Sequence, residues 1–238
     1  MKLADRNQIQ VPKQYQIALE VMGVLDVAKL LYQIPNFSDH PKGNGEPIIV
    51  LPGFATNDHV TYPMRKYLEF LGYRAEGWDL GYNHGIVPKL LEEFQIRLER
   101  TYQKYGRKVN LIGWSLGGYI ARESARDNQD KISKVISIGS PLIGGPKYTS
   151  IANYYAKKQN MNLDDVEKEV DERYNRPLEM PLLSIYSKND NIVSWESSID
   201  HFSPNIKHVE VNATHLGLIL NPDVYLQIAQ FLQNVNTG

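Results

Sequence analysis

The stretch VNLIGWSLGGYIARESA, residues 109–125, joins an apolar run to a helical pattern through a single serine, Ser115. Residues 113–117, GWSLG, match the pattern G-x-S-x-G, in which a strand turns sharply into a helix. Such a turn forces its central residue into a strained backbone conformation and leaves room only for small flanking residues. The following helix would point its free N–H groups at the serine oxygen, which favours negative charge there. The alternative is that Ser115 only caps the helix.

Strand-like and helix-like segments alternate on both sides of this stretch. Continuous Val, Ile and Leu runs are typical of parallel strands buried on both faces. Alternation with helices predicts an α/β fold with a doubly wound, mostly parallel sheet of about six strands in a single domain over residues 1–238. One of the helices is expected to begin at Asp58 and to stop at Gly72. The strand-like segments are PIIVLPG, YRAEGWDL, KVNLIGW, ISKVISIGSP, MPLLSIYSKND and NIKHVEVN.

Two further segments depart from the alternation. Residues 13–34 are apolar and predict an N-terminal helical segment docked on the domain, with a lipid-touching surface helix as the alternative. Residues 144–180 are longer than a simple crossover needs and predict a small helical lid over the carboxyl edge of the sheet. The alternative is a plain crossover helix with a long loop.

Composition excludes several classes of function. The 238 residues carry a formal net charge of −1, which gives no global attraction to nucleic acid. There is no cysteine, and so no disulfide, thiolate metal site or thiol nucleophile. Histidine spacing predicts no metal site, and no glycine-rich nucleotide motif predicts a cofactor. Charges interrupt the apolar N-terminal segment before it reaches membrane-spanning length, and no signal region is visible, so we expect a cytoplasmic protein.

The motifs PIIVLPGF, GWSLGG, SKNDNIV and ATHLGL occur in this order, each at or just beyond the end of a predicted strand. In this the sequence resembles the α/β-hydrolase superfamily, and within it the bacterial serine esterase and lipase branch, over roughly residues 47–231. The resemblance implies an α/β-hydrolase fold and a catalytic triad in the order Ser, Asp or Glu, His.

A serine hydroxyl needs an adjacent base, and the base needs a group that orients it. Three histidines follow Ser115 in the chain. His215 comes shortly after the last strand, where the resemblance places the base, whereas His208 lies within a strand and His201 in the segment before it.

The acid is expected after a strand and before that histidine. Asp190 directly follows LLSIYSKN, and its turn is similar to the family's acid turn. Asp200 is the rival, but it lies further from the strand end. We therefore expect Asp190 to orient His215.

Two backbone N–H groups should stabilise the oxyanion. The resemblance implies Leu116 and a residue after IIVLPG, with Phe54 favoured and Ala55 left open. Asn83 and His84, which follow the second strand, are expected to build a turn, with a place at the site rim as the alternative.

These residues predict a serine hydrolase that cleaves small uncharged or acyl esters through an acyl-enzyme, with no cofactor. The alternatives are an acyltransferase or thioesterase with the same triad and, from another class, a binding module on this fold. Nucleic acid is not expected as a partner. Contact with a membrane surface is not indicated but is left open, as is the oligomeric state. The apolar pocket is expected to comprise Trp114, Leu142, Ile143, Ile192, Val193 and Leu216.

Overall fold

The computed structural model describes Arg6 and residues 9–233, which form one six-stranded sheet flanked by helices. All five strand pairs are parallel, in the spatial order β2-β1-β3-β4-β5-β6. The predicted α/β fold with a parallel sheet of six strands is therefore confirmed. The strands are β1 (Pro47–Leu51), β2 (Arg74–Gly77), β3 (Val109–Trp114), β4 (Ile132–Ile138), β5 (Leu182–Tyr186) and β6 (Ile206–Glu210).

Helices cover both faces of the sheet, because successive strand residues point to opposite sides. In β3, Leu111 packs into one hydrophobic core and Ile112 into the other. The helices are α1 (Val24–Gln33), α2 (Tyr62–Phe70), α3 (Val87–Tyr105), α4 (Leu116–Asp127), α5 (Ala152–Gln159), α6 (Leu163–Arg173), α7 (His215–Leu218) and α8 (Pro222–Gln233).

The expected start of the second helix at Asp58 is wrong. Helix α2 begins at Tyr62, and the Asp58 carboxylate instead accepts hydrogen bonds from the backbone N–H groups of Trp78 and Asp79, both at 3.0 Å. Asp58 therefore fixes the end of β2 rather than capping a helix. Pro63, which suits the first turn of a helix, marks the true start.

The N-terminal segment is helical but not a single α-helix. A 3-10 helix, Gln14–Gly23, leads into α1, and a second 3-10 helix, Ile34–Asp39, follows. Glu20 and Asp26 are buried, and they turn their carboxylates toward the domain. Among the described residues, no helix combines the length and apolar character that crossing a membrane requires.

The insertion at 144–180 folds into a 3-10 turn, Gly145–Tyr148, followed by α5 and α6. Its residues line a cavity together with Ser115 and Leu116, at the carboxyl edge of the sheet. Tyr155 of α5 fastens it to the domain, since its hydroxyl donates to the backbone carbonyl of Gly85.

Candidate active site

Ser115 lies at the turn between β3 and α4 and has φ 55° and ψ −125°, a conformation that L-residues rarely adopt. The flanking glycines are required by close backbone contacts. A Cβ at Gly113 would lie 2.2 Å from the Gly117 carbonyl oxygen, and one at Gly117 would lie 2.4 Å from the Leu51 carbonyl oxygen. The packing of three backbone segments therefore holds the serine in its strained position.

Ser115, His215 and Asp190 form a continuous hydrogen-bonded chain. His215 Nε2 lies 3.0 Å from Ser115 Oγ, and His215 Nδ1 lies 2.7 Å from Asp190 Oδ2. The other Asp190 oxygen accepts the backbone N–H groups of Ile192 at 2.8 Å and Val193 at 2.7 Å. These bonds fix the carboxylate, which in turn can fix the orientation of the imidazole.

His215 is buried, and its environment favours the protonated ring. Burial by itself lowers the pKa of His215, but the charge and hydrogen bond of Asp190, with a further contribution from Glu20, outweigh it and raise the pKa above the ordinary histidine value. The Trp114 ring lies against the imidazole with centroids 5.4 Å apart, and its Nε1 donates to the His215 carbonyl at 3.2 Å.

Glu20 connects the two loops that carry His215 and Asp190. Its Oε1 accepts from the backbone N–H of Asn191 at 3.1 Å and from Asn191 Nδ2 at 3.0 Å, while Oε2 accepts from the backbone N–H of Leu216 at 2.7 Å. Sequence reasoning missed this residue. Its only signal is a carboxylate inside an apolar segment, which is equally consistent with an exposed position.

The loop after β1 and the start of α4 carry the N–H groups that the sequence suggests as oxyanion donors. The Ala55 N–H donates to the Asn83 carbonyl at 2.9 Å, so it is not available to a substrate. The N–H groups of Phe54 and Leu116 have no hydrogen-bond partner within residues 9–233. Of the two residues that the sequence left open as the second donor, Phe54 is therefore the better candidate.

Asn83 builds the turn expected for it and also supports this loop. Its side-chain Nδ2 donates to the Pro52 carbonyl at 2.9 Å, and its Oδ1 accepts from the Gly85 N–H at 3.2 Å. His84 Nδ1 accepts from the backbone N–H of Ile86 at 3.2 Å, which is a turn contact as well.

A cavity of about 290 Å³ opens beside Ser115, between the sheet edge and the insertion. Its wall is mainly apolar and includes Phe54, Val166 and Val170. Of the six pocket residues expected from the sequence, Ile192 and Val193 line this cavity.

The other four expected pocket residues are placed elsewhere. Trp114 packs into the core beneath His215. Leu142 and Ile143 are fully buried. The Leu142 carbonyl accepts a hydrogen bond from the Tyr174 hydroxyl, and the Ile143 N–H donates to the Ser197 carbonyl. Leu216 is exposed on the outer side of the His215 loop and does not line the cavity. Proximity to a strand end in sequence did not decide which way these side chains point.

The rival acid Asp200 and the rival histidine His208 have other partners, and His201 is exposed. Asp200 accepts from Arg122 Nη2 at 2.5 Å and from Ser203 Oγ at 2.7 Å. His208 Nε2 accepts the Asp200 backbone N–H at 3.0 Å. Asp200 therefore belongs to a separate buried ion pair, in which Arg122 helps to lower the pKa of its carboxyl against the effect of burial.

A family model described as alpha/beta hydrolase fold matches residues 46–169, slightly more than half of the chain. A pimeloyl-(acyl-carrier protein) methyl ester esterase of Vibrio vulnificus is 28% identical over 116 residues, which are 48% of this chain and 42% of that protein. A protein with the same description from Aliivibrio fischeri is 27% identical over 100 residues, 42% of this chain and 38% of that protein. The chain thus spans less than half the length of these curated relatives.

Solved structures with similar folds include enzymes described as lipolytic. A metagenome-derived lipolytic enzyme has a TM-score of 0.65 at 14% identity and covers 81% of this chain and 94% of that chain. A Bacillus licheniformis lipase has a TM-score of 0.61 at 15% identity, with coverage of 80% and 94%. A Pyrococcus furiosus esterase has a TM-score of 0.58 at 20% identity, with coverage of 80% and 83%. At these identities the likeness is one of fold.

Proposed function

Because this chain belongs to the α/β-hydrolase fold family, we propose that it is a serine hydrolase of carboxylic esters, with Ser115, His215 and Asp190 as its triad. The observation that carries the proposal is the Ser115–His215–Asp190 hydrogen-bonded chain, which ends at an apolar cavity. Two N–H groups without partners among the described residues lie on the segments flanking that cavity, at Phe54 and Leu116. Their arrangement suits attack on an uncharged carbonyl group.

The reaction would begin with attack of Ser115 Oγ on the ester carbonyl carbon, while His215 Nε2 takes the hydroxyl proton. The carbonyl oxygen gains the negative charge and accepts hydrogen bonds from the Phe54 and Leu116 N–H groups, reinforced by the N-terminus of α4. His215 then gives its proton to the leaving alkoxide as the C–O bond breaks. Water, deprotonated by His215, attacks the acyl-enzyme by the reverse route and releases the acid and Ser115.

The substrate class follows from the wall of the cavity. Apolar side chains favour an acyl chain or another uncharged group over a charged one. Arg173 and Glu169 lie at the edge of the cavity, and the Arg173 guanidinium is already paired with buried Glu123 at 3.1 Å. The named activity of the curated relatives, hydrolysis of a methyl ester, supports the ester class without identifying the substrate of this chain.

The test is hydrolysis of p-nitrophenyl esters, from acetate to palmitate, by the wild type and by Ser115→Ala. We expect measurable turnover in the wild type and a loss of at least about 10³-fold in the variant, because the nucleophile is removed. Ser38→Ala is the matched control, since Ser38 is exposed and lies in the 3-10 helix after α1.

Equal turnover by the wild type and Ser115→Ala would reject the triad. If no ester is cleaved but a fluorophosphonate labels Ser115, acyl transfer to another acceptor replaces hydrolysis as the proposed function. If neither turnover nor labelling occurs, the chain is a binding module on this fold.

A further inference from the structure

Exposed apolar side chains are concentrated in the N-terminal segment. Of the eighteen large hydrophobic side chains that are exposed among the described residues, eleven lie within residues 9–34. Single exposed apolar residues are common, but contiguous groups of this kind mark interaction surfaces. The eleven are Val11, Tyr15, Leu19, Val21, Met22, Val24, Leu25, Val27, Leu31, Tyr32 and Ile34.

The polarity of this segment is inverted relative to that of an ordinary surface helix. A surface helix normally buries apolar residues and exposes charged ones. Here Glu20 and Asp26 are the buried acids. Glu20 binds the two loops described above, and Asp26 Oδ1 accepts from Asn221 Nδ2 at 3.0 Å. The domain therefore takes up the two carboxylates of the segment together with Leu30, and leaves most of the segment's large apolar side chains outside.

The charges that remain exposed within residues 9–34 are both positive. They belong to Lys13, before the 3-10 helix, and to Lys29 of α1, whose exposed ammonium group reaches back to Asp26 at 3.0 Å. The next exposed acid along the chain, Asp39, lies beyond the apolar run. Tyr15 and Tyr32 stand exposed toward the two ends of the segment.

We propose that this outer face, formed by the exposed side chains of residues 11–34, docks on an anionic lipid bilayer. Apolar side chains would enter the boundary between headgroups and acyl chains, lysines would approach the lipid phosphates, and tyrosines favour the interfacial depth. A protein partner would also cover the apolar side chains. Apolar contact alone, however, would not account for exposed charges that are both positive. The inference goes beyond ester hydrolysis and does not depend on it.

Docking would have a consequence for the site that does rest on the proposed function. The inner side of the same segment holds the loops of Asp190 and His215 through Glu20. A bilayer bound to the outer face would therefore lie one helical layer away from the triad loops. This arrangement would suit an ester substrate that partitions into lipid.

The experiment is flotation of the full chain with vesicles of phosphatidylcholine alone and of phosphatidylcholine mixed with phosphatidylglycerol. The test variant is Leu25→Gln/Leu31→Gln, at positions that are 57% and 62% exposed. The matched control is Phe70→Gln/Ile96→Gln, at positions that are 58% and 65% exposed on other helices. All four positions are at the surface, so circular dichroism should show an unchanged fold.

We expect the wild type to float with the mixed vesicles, more weakly with neutral ones, and less as salt is raised. The test variant should lose about tenfold or more of its partition coefficient, whereas the control should keep it. Ser115→Ala should float as the wild type does, and the test variant should still hydrolyse water-soluble esters. These two results separate lipid docking from the proposed catalysis.

Three results would overturn the inference. The wild type could stay unbound with every vesicle, or the test and control variants could lose binding equally. Alternatively, light scattering could show a wild-type dimer that Leu25→Gln/Leu31→Gln converts to a monomer, with no vesicle binding by either. The last result would assign the outer face to a second copy of the chain.

Discussion

At the level of single residues, Glu20 joins two loops that lie far from it in the chain. It is 196 residues from Leu216 and 171 from Asn191, the direct neighbours of the proposed base and acid. Its carboxylate accepts three N–H groups, and such charge-assisted bonds are worth roughly 1.5–3 kcal/mol each. We infer that Glu20 is a positioning residue for the proposed triad, acting through the backbone of both loops.

Replacing Glu20 by Gln should lower kcat by about tenfold with little change in KM. A glutamine keeps one acceptor oxygen, but its amide nitrogen must face an N–H donor of one of the two loops. The relevant measurement is steady-state turnover of a short water-soluble ester across pH. Asp39→Asn is the matched control, because Asp39 is an exposed acid near the same segment.

The pH profile distinguishes positioning from general loss of structure. His215 must be neutral to accept a proton, and its pKa is raised, so activity should fall as pH decreases through a value above about 6.5. Removing the Glu20 charge lowers the pKa of His215, and the acidic limb should move to lower pH. If the acidic limb of the pH profile stays in place while kcat falls, Glu20 has only a structural role.

At the level of elements, Glu167 fastens α6 to the turn before α5. Its carboxylate receives Lys147 Nζ at 2.6 Å, the Tyr148 hydroxyl at 2.7 Å and Arg6 Nη1 at 2.8 Å. Burial by itself raises the pKa of Glu167, but these partners outweigh it and hold the pKa below the ordinary glutamate value. Glu167 therefore ties α6 to the 3-10 turn and to Arg6, in addition to the Tyr155 contact that fastens the insertion to the domain.

Replacing Glu167 by Gln should loosen the insertion while leaving the sheet intact. The loss of the charged pairs should speed limited proteolysis within residues 144–180 by on the order of tenfold. The matched control is Glu172→Gln on the same helix, whose exposed side chain has no hydrogen bond among the described residues. Equal cleavage rates for the two variants would argue against a Glu167 clamp.

The stabilisation of the insertion by Glu167 has a defined pH dependence. Because the pKa of Glu167 is depressed in the folded chain, its stabilisation is present above the unfolded glutamate pKa of about 4.3. That stabilisation is lost as pH falls through the lower, folded value. Proteolysis of the wild-type insertion by an acid-active protease should accelerate only in that acidic range.

At the level of the whole molecule, the sheet could be predicted from the sequence because its signals are local. Most strands are short apolar runs, the connections between elements carry glycine, proline, asparagine or aspartate, and the GWSLG turn specifies a strand followed by a helix. The residues whose positions follow from this order, Ser115, Asp190 and His215, meet within hydrogen-bonding distance at one edge.

The parts that could not be predicted depend on contacts between distant segments. The backbone carbonyl of Leu142, for example, accepts a hydrogen bond from the Tyr174 hydroxyl, 32 residues away, so the path of this loop depends on a distant segment. The role of Glu20 depends on where the N-terminal segment packs, which no local pattern shows. Sequence reasoning therefore located the strand ends better than the direction of the side chains beyond them.

The insertion and the sheet together form the cavity, and this arrangement leads to a prediction about substrate length. Val166 of α6 lines the cavity on the side opposite the sheet and is only partly buried. Val166→Phe should fill the space that an extended acyl chain would occupy. We expect kcat/KM to fall at least about tenfold for long-chain p-nitrophenyl esters and to change little for the acetate.

The control for this variant is Val11→Phe, the same change at an exposed position that does not line the cavity. Thermal denaturation should show that both variants fold, because neither site is fully buried. A length profile that Val166→Phe leaves unchanged would mean that the acyl chain does not lie under α6. A loss that is equal for acetate and palmitate would instead indicate a displaced insertion, since a filled chain-binding space must discriminate by length.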